Sequence, residues 1–135
     1  MITVVDLPIY TFHIDYAGHV SNIVYIQWLE IGRTCLLRKA GLPIAYLEEQ
    51  GIVPVLARTT ISYRAPLYLG DRATLEMWID ELGRASATLA FCIHKERETL
   101  VAEGTQKGLF VHRDTMRPAR MTREMQERFA AFAAG

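Results

Sequence analysis

Residues 15–41, DYAGHVSNIVYIQWLEIGRTCLLRKAG, decide how this chain reads. The stretch opens as a polar loop carrying Asp15, Gly18, His19, Ser21 and Asn22, then runs into about five turns of predicted helix. At roughly 100° per residue, Val24, Tyr25, Trp28, Leu29, Ile31, Gly32, Cys35 and Leu36 fall together in one arc of about 160°. That arc is wider than the stripe of an ordinary surface helix, and no charge enters it before Lys39. The other side holds Asn22, Gln27, Glu30, Arg33 and Thr34, but Ile23, Ile26 and Leu37 intrude there. Such a helix is expected to be wrapped by a sheet on one side and met by a second surface on the other. Gly41 is a natural stop, and Arg38 and Lys39 suit the negative end of the helix dipole.

The helix start carries the chemistry. Ser21 or Asn22 can cap it, but no Glu or Gln follows three residues later to complete a capping box. No acid lies between Asn22 and Leu29, where Asp and Glu usually complement the positive end. The first-turn amides are therefore expected to stay available for a ligand carbonyl or anion. Asp15 stands a few residues upstream, so one stretch offers a base or nucleophile beside an oxyanion site.

Outward from the helix, the chain reads as strands. Residues 2–14 form a predicted first strand in which Pro8 argues for an edge position, a bulge or a late start. After Leu42-Pro43 a short segment, IAYLEEQ, closes at Gly51. Residues 53–63 alternate, with Val53, Val55, Ala57, Thr59, Ile61 and Tyr63 expected on one face. ATLEMWIDEL and ASATLAFCIHKE follow as strands joined at Gly83, the second placing Ala87, Leu89, Phe91 and Ile93 on its apolar face. A last strand is predicted over 100–112, where Gly104 and Gly108 suggest a bulge or a close backbone approach. Residues 122–134 read as an amphipathic tail helix capped by Thr122. One long helix followed by strands on short turns is an α+β pattern, an antiparallel sheet packed on a helix.

Composition excludes several function classes. The 135 residues suit a single domain spanning 1–135, large enough for a real core. Fifteen basic residues balance fifteen acidic ones, so no global field draws nucleic acid or an anionic membrane. No run has the apolar length of a membrane span, and the first residues lack a signal-peptide pattern. Cys35 and Cys92 are too few for a disulfide scaffold and make no zinc-type spacing with His. The expectation is a cytoplasmic protein with two reduced, buried cysteines and no metal.

The run Asp15-x-x-Gly18-His19-Val20-x-Asn22-x-x-Tyr25, followed by Trp28, Leu29 and Glu30, resembles the hotdog-fold acyl-CoA thioesterases of the 4-hydroxybenzoyl-CoA thioesterase-like family. Further signposts agree in order: Tyr63-x-x-Pro66-Leu67-x-x-Gly70-Asp71, Gly83-Arg84-x-Ser86 and Gly104. The resemblance implies a hotdog fold, an antiparallel sheet wrapped around one long central helix. It implies Asp15 as nucleophile or general base on a thioester, and helix N-terminal amides near Asn22, with Gly18 and His19 in the loop, polarising the carbonyl. It implies a site between subunits of a homodimer or homotetramer, and it aligns Arg84 with a region that meets the phosphates of CoA. The substrate is then an acyl-CoA or acyl-carrier-protein thioester, hydrolysed without a cofactor. Ser21 and Asn22 depart from the residues many relatives carry before the helix; with His19 they are closer to a variant of acyl-carrier-protein and fatty acyl thioesterases.

Each of these residues has a plainer reading. Asp15 can cap its own turn, His19 can brace the loop, Glu30 can pair with Arg33 along the helix, and Arg84 can be a solvated turn residue. Glu30 is the candidate second acid, reaching Asp15 only across a dimer. Two other functions share the fold: an enoyl-thioester hydratase or dehydratase using His19 and Glu30, and a non-catalytic acyl-thioester-binding module.

Overall fold

The computed structural model describes residues 1–134. Its elements are β1 (Thr3–Leu7), α1 (Asn22–Lys39), α2 (Ile44–Glu49), β2 (Ile52–Tyr63), β3 (Ala73–Leu82), β4 (Ser86–Lys95), β5 (Thr99–His112) and α3 (Arg123–Ala130). The strands make one antiparallel sheet in the order β1-β3-β4-β5-β2, wrapped around α1 in the hotdog arrangement. Leu75, Met77, Phe91 and Ile93 of the central strands are buried against Val24, Tyr25, Trp28, Leu29 and Leu36 of the helix.

Helix and sheet meet closely at Gly32. A Cβ there would lie 2.5 Å from Leu75 Cδ2, so the bare backbone lets α1 settle onto β3. The buried face is narrower than the predicted arc. Ile31 is exposed and Cys35 half-buried, because that flank of α1 passes beyond the sheet beside the short edge strand β1.

Two strand expectations and one helix expectation are corrected. The first strand ends at Leu7 instead of running to residue 14, since Pro8 has no N–H to continue a ladder; a 3₁₀ turn at Thr11–His13 follows. The alternation in β2 is interrupted by a bulge between Leu56 and Arg58. Ile52, Pro54 and Leu56 thereby share the inward register with Thr59, Ile61 and Tyr63, and Val53 and Val55 turn to the other face. The tail helix stops at Ala130 instead of continuing to Ala134, although Thr122 caps it through Oγ1 accepting from the Met125 amide at 3.1 Å.

At Gly104 the close approach is real, because a Cβ would run into the Thr60 carbonyl of β2. Arg128 of α3 donates to the Gly41 carbonyl at 2.8 Å, fastening the tail to the end of α1. Both cysteines are free but half-buried, not fully buried as expected. Among the described residues no helix is long and apolar enough to cross a membrane.

Candidate active site

Asp15 sits in a loop that closes on itself. Ile14 and Val20 form a bridge, the Asp15 amide donates to the His19 carbonyl (3.1 Å), and the Gly18 amide donates to the Asp15 carbonyl (3.0 Å). Gly18 has a positive φ, a left-handed conformation that suits glycine in this tight reversal. The loop is moored at both ends, by the Val20 amide on the Leu67 carbonyl (2.8 Å) and the Ser21 amide on the His13 carbonyl (2.9 Å). Within it the half-buried Asp15 accepts one hydrogen bond, from the Ala17 amide to Oδ1 at 2.8 Å. Among the described residues no other group bonds the carboxylate.

His19 bonds the Val20 carbonyl through Nδ1 at 3.2 Å and lies edge-on to Tyr68. A carbonyl only accepts, so Nδ1 carries the proton in that bond and the ring braces the loop.

Ser21 is the N-cap of α1, in an extended conformation, but its side chain makes no capping bond. Asn22 is the first helical residue, not a cap. Its carbonyl accepts from the Tyr63 hydroxyl at 3.3 Å. The first turn holds no acid, so the positive end of α1 is left unneutralised by its own side chains.

An aromatic wall that sequence reasoning did not assemble supports this corner. His13 packs on Trp28 with ring centroids 5.9 Å apart, Tyr25 on Trp28 at 5.4 Å, and Tyr25 on Tyr63 at 5.1 Å. Burial, reinforced by Tyr63 and opposed by the Leu67 backbone, pushes the Tyr25 phenol up to about 12. Burial raises Tyr63 as well. Both stay neutral at ordinary pH and act as wall and donor, not as bases. Tyr63 was legible as a family signpost; His13 had no signal except its position two residues before Asp15.

Residues 11–129 match the thioesterase-like superfamily. The chain belongs to that superfamily. Its chemistry is thioester hydrolysis. Long-chain acyl-CoA thioesterase FadM of Escherichia coli is 25% identical over 118 residues, covering 87% of this chain and 89% of its own. A DHNA-CoA thioesterase from Staphylococcus aureus superposes with a TM-score of 0.89 at 20% identity, over 96% of this chain and 89% of the other. A second Staphylococcus aureus protein, solved in complex with CoA, gives a TM-score of 0.91 at 17% identity, over 98% and 84%.

The other candidate residues of this thioesterase-like chain lie apart from Asp15. Glu30 is exposed on α1, more than two turns beyond Asn22. It therefore does not meet His19 or Asp15 within one protomer. Glu30 instead neighbours Arg33, whose guanidinium donates to Gln106 Oε1 at 2.7 Å. Burial lowers the Arg33 pKa, and Glu30 partly offsets the shift. Gln106, fully buried, passes the connection on to Thr59 Oγ1 at 3.0 Å, so a polar ladder crosses from α1 through β5 to β2.

Beside that ladder an apolar cavity of roughly 210 Å³ opens between α1 and the β2 edge, lined by Leu36, Leu37, Val55, Leu56, Phe110 and Phe129 among others. Arg84 is exposed in the β3–β4 turn, where its carbonyl accepts from the Met121 amide at 2.8 Å. Asp15 lies at the Lys95 end of β4 and Arg84 at the Ser86 end. The whole length of that ten-residue strand separates them.

Proposed function

We propose that the chain hydrolyses an acyl-CoA or acyl-carrier-protein thioester, with Asp15 as the reacting carboxylate and the first-turn amides of α1 as the oxyanion site. One observation carries the reading. A half-buried carboxylate, bonded through a single oxygen, stands in a closed loop just ahead of a helix start that has no side-chain cap and no acid. As general base, Asp15 takes a proton from the water that attacks the thioester carbon. As nucleophile, it forms a mixed anhydride that water then opens. On either route negative charge develops on the carbonyl oxygen, where the helix amides and dipole act. Thiolate leaves readily, so a carboxylate and an oxyanion site suffice without a triad. His19 holds the loop, as its bond to Val20 supports. The CoA bound by one structural neighbour and the acyl-CoA substrate named for FadM support CoA as the carrier.

The reading includes a single hotdog domain in a cytoplasmic homodimer or homotetramer with shared sites. Support comes from apolar side chains left exposed around the loop and helix start: Phe12 (79%), Tyr16 (103%) and Ile23 (68%). The twelve-residue strand β2 is also an open edge.

The test is thiol release from a panel of saturated and enoyl acyl-CoAs. Asp15→Asn keeps the side chain's size and should lower kcat by roughly 10²–10⁴. Near-parental hydrolysis by the folded variant would sink the assignment and make His19 and Glu30 the pair to test. Loss of enoyl absorbance without thiol release would point to hydration.

A further inference from the structure

On the far side of the sheet from α1, three metal-ligating side chains converge. Leu75 and Met77 face the helix, so Glu76 between them faces outward. Phe91 and Ile93 belong to the core, so Cys92 and His94 face outward too. Register then unites them. Glu76 on β3 stands directly opposite Cys92 on β4, and His94 follows two residues on, opposite Thr74. One ligand atom from each of Glu76, Cys92 and His94 lies within 4.8 Å of the others, and all three residues are half-buried.

We propose that Glu76, Cys92 and His94 form a binding site for a divalent zinc-type metal ion on the outer face of the sheet.

The state of the histidine supports this. His94 Nδ1 is buried and has no hydrogen-bond partner. Glu76 Oε1 is 3.9 Å away, too far for a hydrogen bond. A buried nitrogen left in this state has lost its hydration without compensation, and a coordinated cation restores a partner. Around a tetrahedral ion with bonds of about 2.0–2.3 Å, ligand atoms stand roughly 3.3–3.8 Å apart. The His94–Glu76 separation of 3.9 Å is already close to that spacing, and all three ligand atoms lie within 4.8 Å of one another.

The donor set chooses the metal. One thiolate, one imidazole and one carboxylate suit Zn²⁺, whereas Mg²⁺ and Ca²⁺ ask for oxygen ligands throughout. Three protein ligands leave the fourth position to water. Glu103, opposite Cys92 on β5, adds a negative charge nearby, though it is itself paired with Arg64 at 3.3 Å. On binding, the Cys92 thiol gives its proton to solvent as the sulfur–metal bond forms, so one proton is released per ion. The ion would clip β3 to β4 on the face away from Asp15. It should therefore stabilise the fold without being needed for thioester hydrolysis.

The test uses the full-length protein, stripped with a chelator and titrated with Co²⁺ as a coloured probe, then with Zn²⁺. The expected result is one Co²⁺ per chain, a thiolate-to-cobalt charge-transfer band that Zn²⁺ bleaches, and a melting temperature raised by Zn²⁺. Cys92→Ser should abolish the band, and His94→Ala should weaken binding by at least about tenfold. Glu76→Gln, the mildest change to the strand, should also weaken binding. Cys35→Ser should leave band and affinity as in the parent. No saturable binding by the parent would overturn the proposal. So would a band lost with Cys35→Ser and kept with Cys92→Ser.

Discussion

Asp15 and Tyr25 stand within one corner of the fold, yet their chemistry is set by opposite environments. The Asp15 carboxylate accepts the Ala17 amide through one oxygen, and among the described residues the other has no hydrogen-bond partner. Single-turnover hydrolysis in ¹⁸O-water tests the proposed anhydride route. Label found in Asp15 itself shows an anhydride opened by water at the Asp15 carbon; label only in the product acid means that water attacks the acyl carbon. Tyr25, in contrast, is held neutral by burial. Its folded pKa lies above the unfolded value, so the folded state keeps a proton that the unfolded chain releases as pH rises above about 10. The stability Tyr25 contributes is full below pH 10 and is lost as pH climbs toward 12. Denaturant midpoints measured across that window should fall with pH in the parent and fall less steeply in Tyr25→Phe. Equal slopes for both proteins would mean that other groups govern the alkaline loss.

The strands β2 and β5 share the longest pairing in the sheet, and two glycines on β5 test what holds them. Gly104→Ala drives a Cβ into the Thr60 carbonyl, a backbone atom that cannot step aside alone. Overpacking of this kind typically costs about 1–3 kcal/mol, and the upper end is expected here. Gly108→Ala meets only ordinary contacts, the nearest at 3.8 Å, and should cost far less. Thermal melts of the two variants check the difference; equal losses would mean that the close approach of the Thr60 carbonyl does not set the cost at Gly104. The pressure on Gly104 was readable in the chain, as were α1, its stop at Gly41 and the alternation of β4. Those features are local: periodicity, a breaker, a glycine inside an apolar strand. The bulge at Ala57 was not readable, because one extra residue in β2 has meaning only against its partner β5. The Asp15 loop was legible in composition, whereas the His13–Trp28 and Tyr25–Tyr63 contacts depend on how the first 3₁₀ turn and the end of β2 fold back onto α1. Glu76, Cys92 and His94 were invisible for the same reason, since a cross-strand neighbour has no fixed sequence spacing.

At the scale of the whole molecule, one protomer holds the proposed reacting group and the proposed CoA contact at opposite ends of its sheet. Asp15 is moored at the Leu67 end and Arg84 at the turn beside Met121. If both serve one substrate, the arginine comes from the partner of the protomer that supplies the aspartate. A two-fold axis beside the open β2 edge would bring opposite ends of two sheets together, because paired copies related in that way run antiparallel. The apolar cavity near that edge would then lie close to the partner's Asp15 loop. Heterodimers decide the matter. One protomer carries Asp15→Asn, the other Arg84→Glu, and two different tags isolate the mixed species. With shared sites, one of the two sites in each heterodimer joins the intact Asp15 of one chain to the intact Arg84 of the other. The second site collects both lesions. Such heterodimers should show about half the parental kcat/KM for acyl-CoA, while each doubly tagged homodimer control stays impaired. With sites confined to single protomers, every site carries one lesion and no recovery occurs. The Arg84→Glu homodimer should owe its defect to a higher KM with nearly unchanged kcat, as expected when an interaction common to ground and transition states is removed. Added salt should raise the parent's KM toward it by screening the same contact.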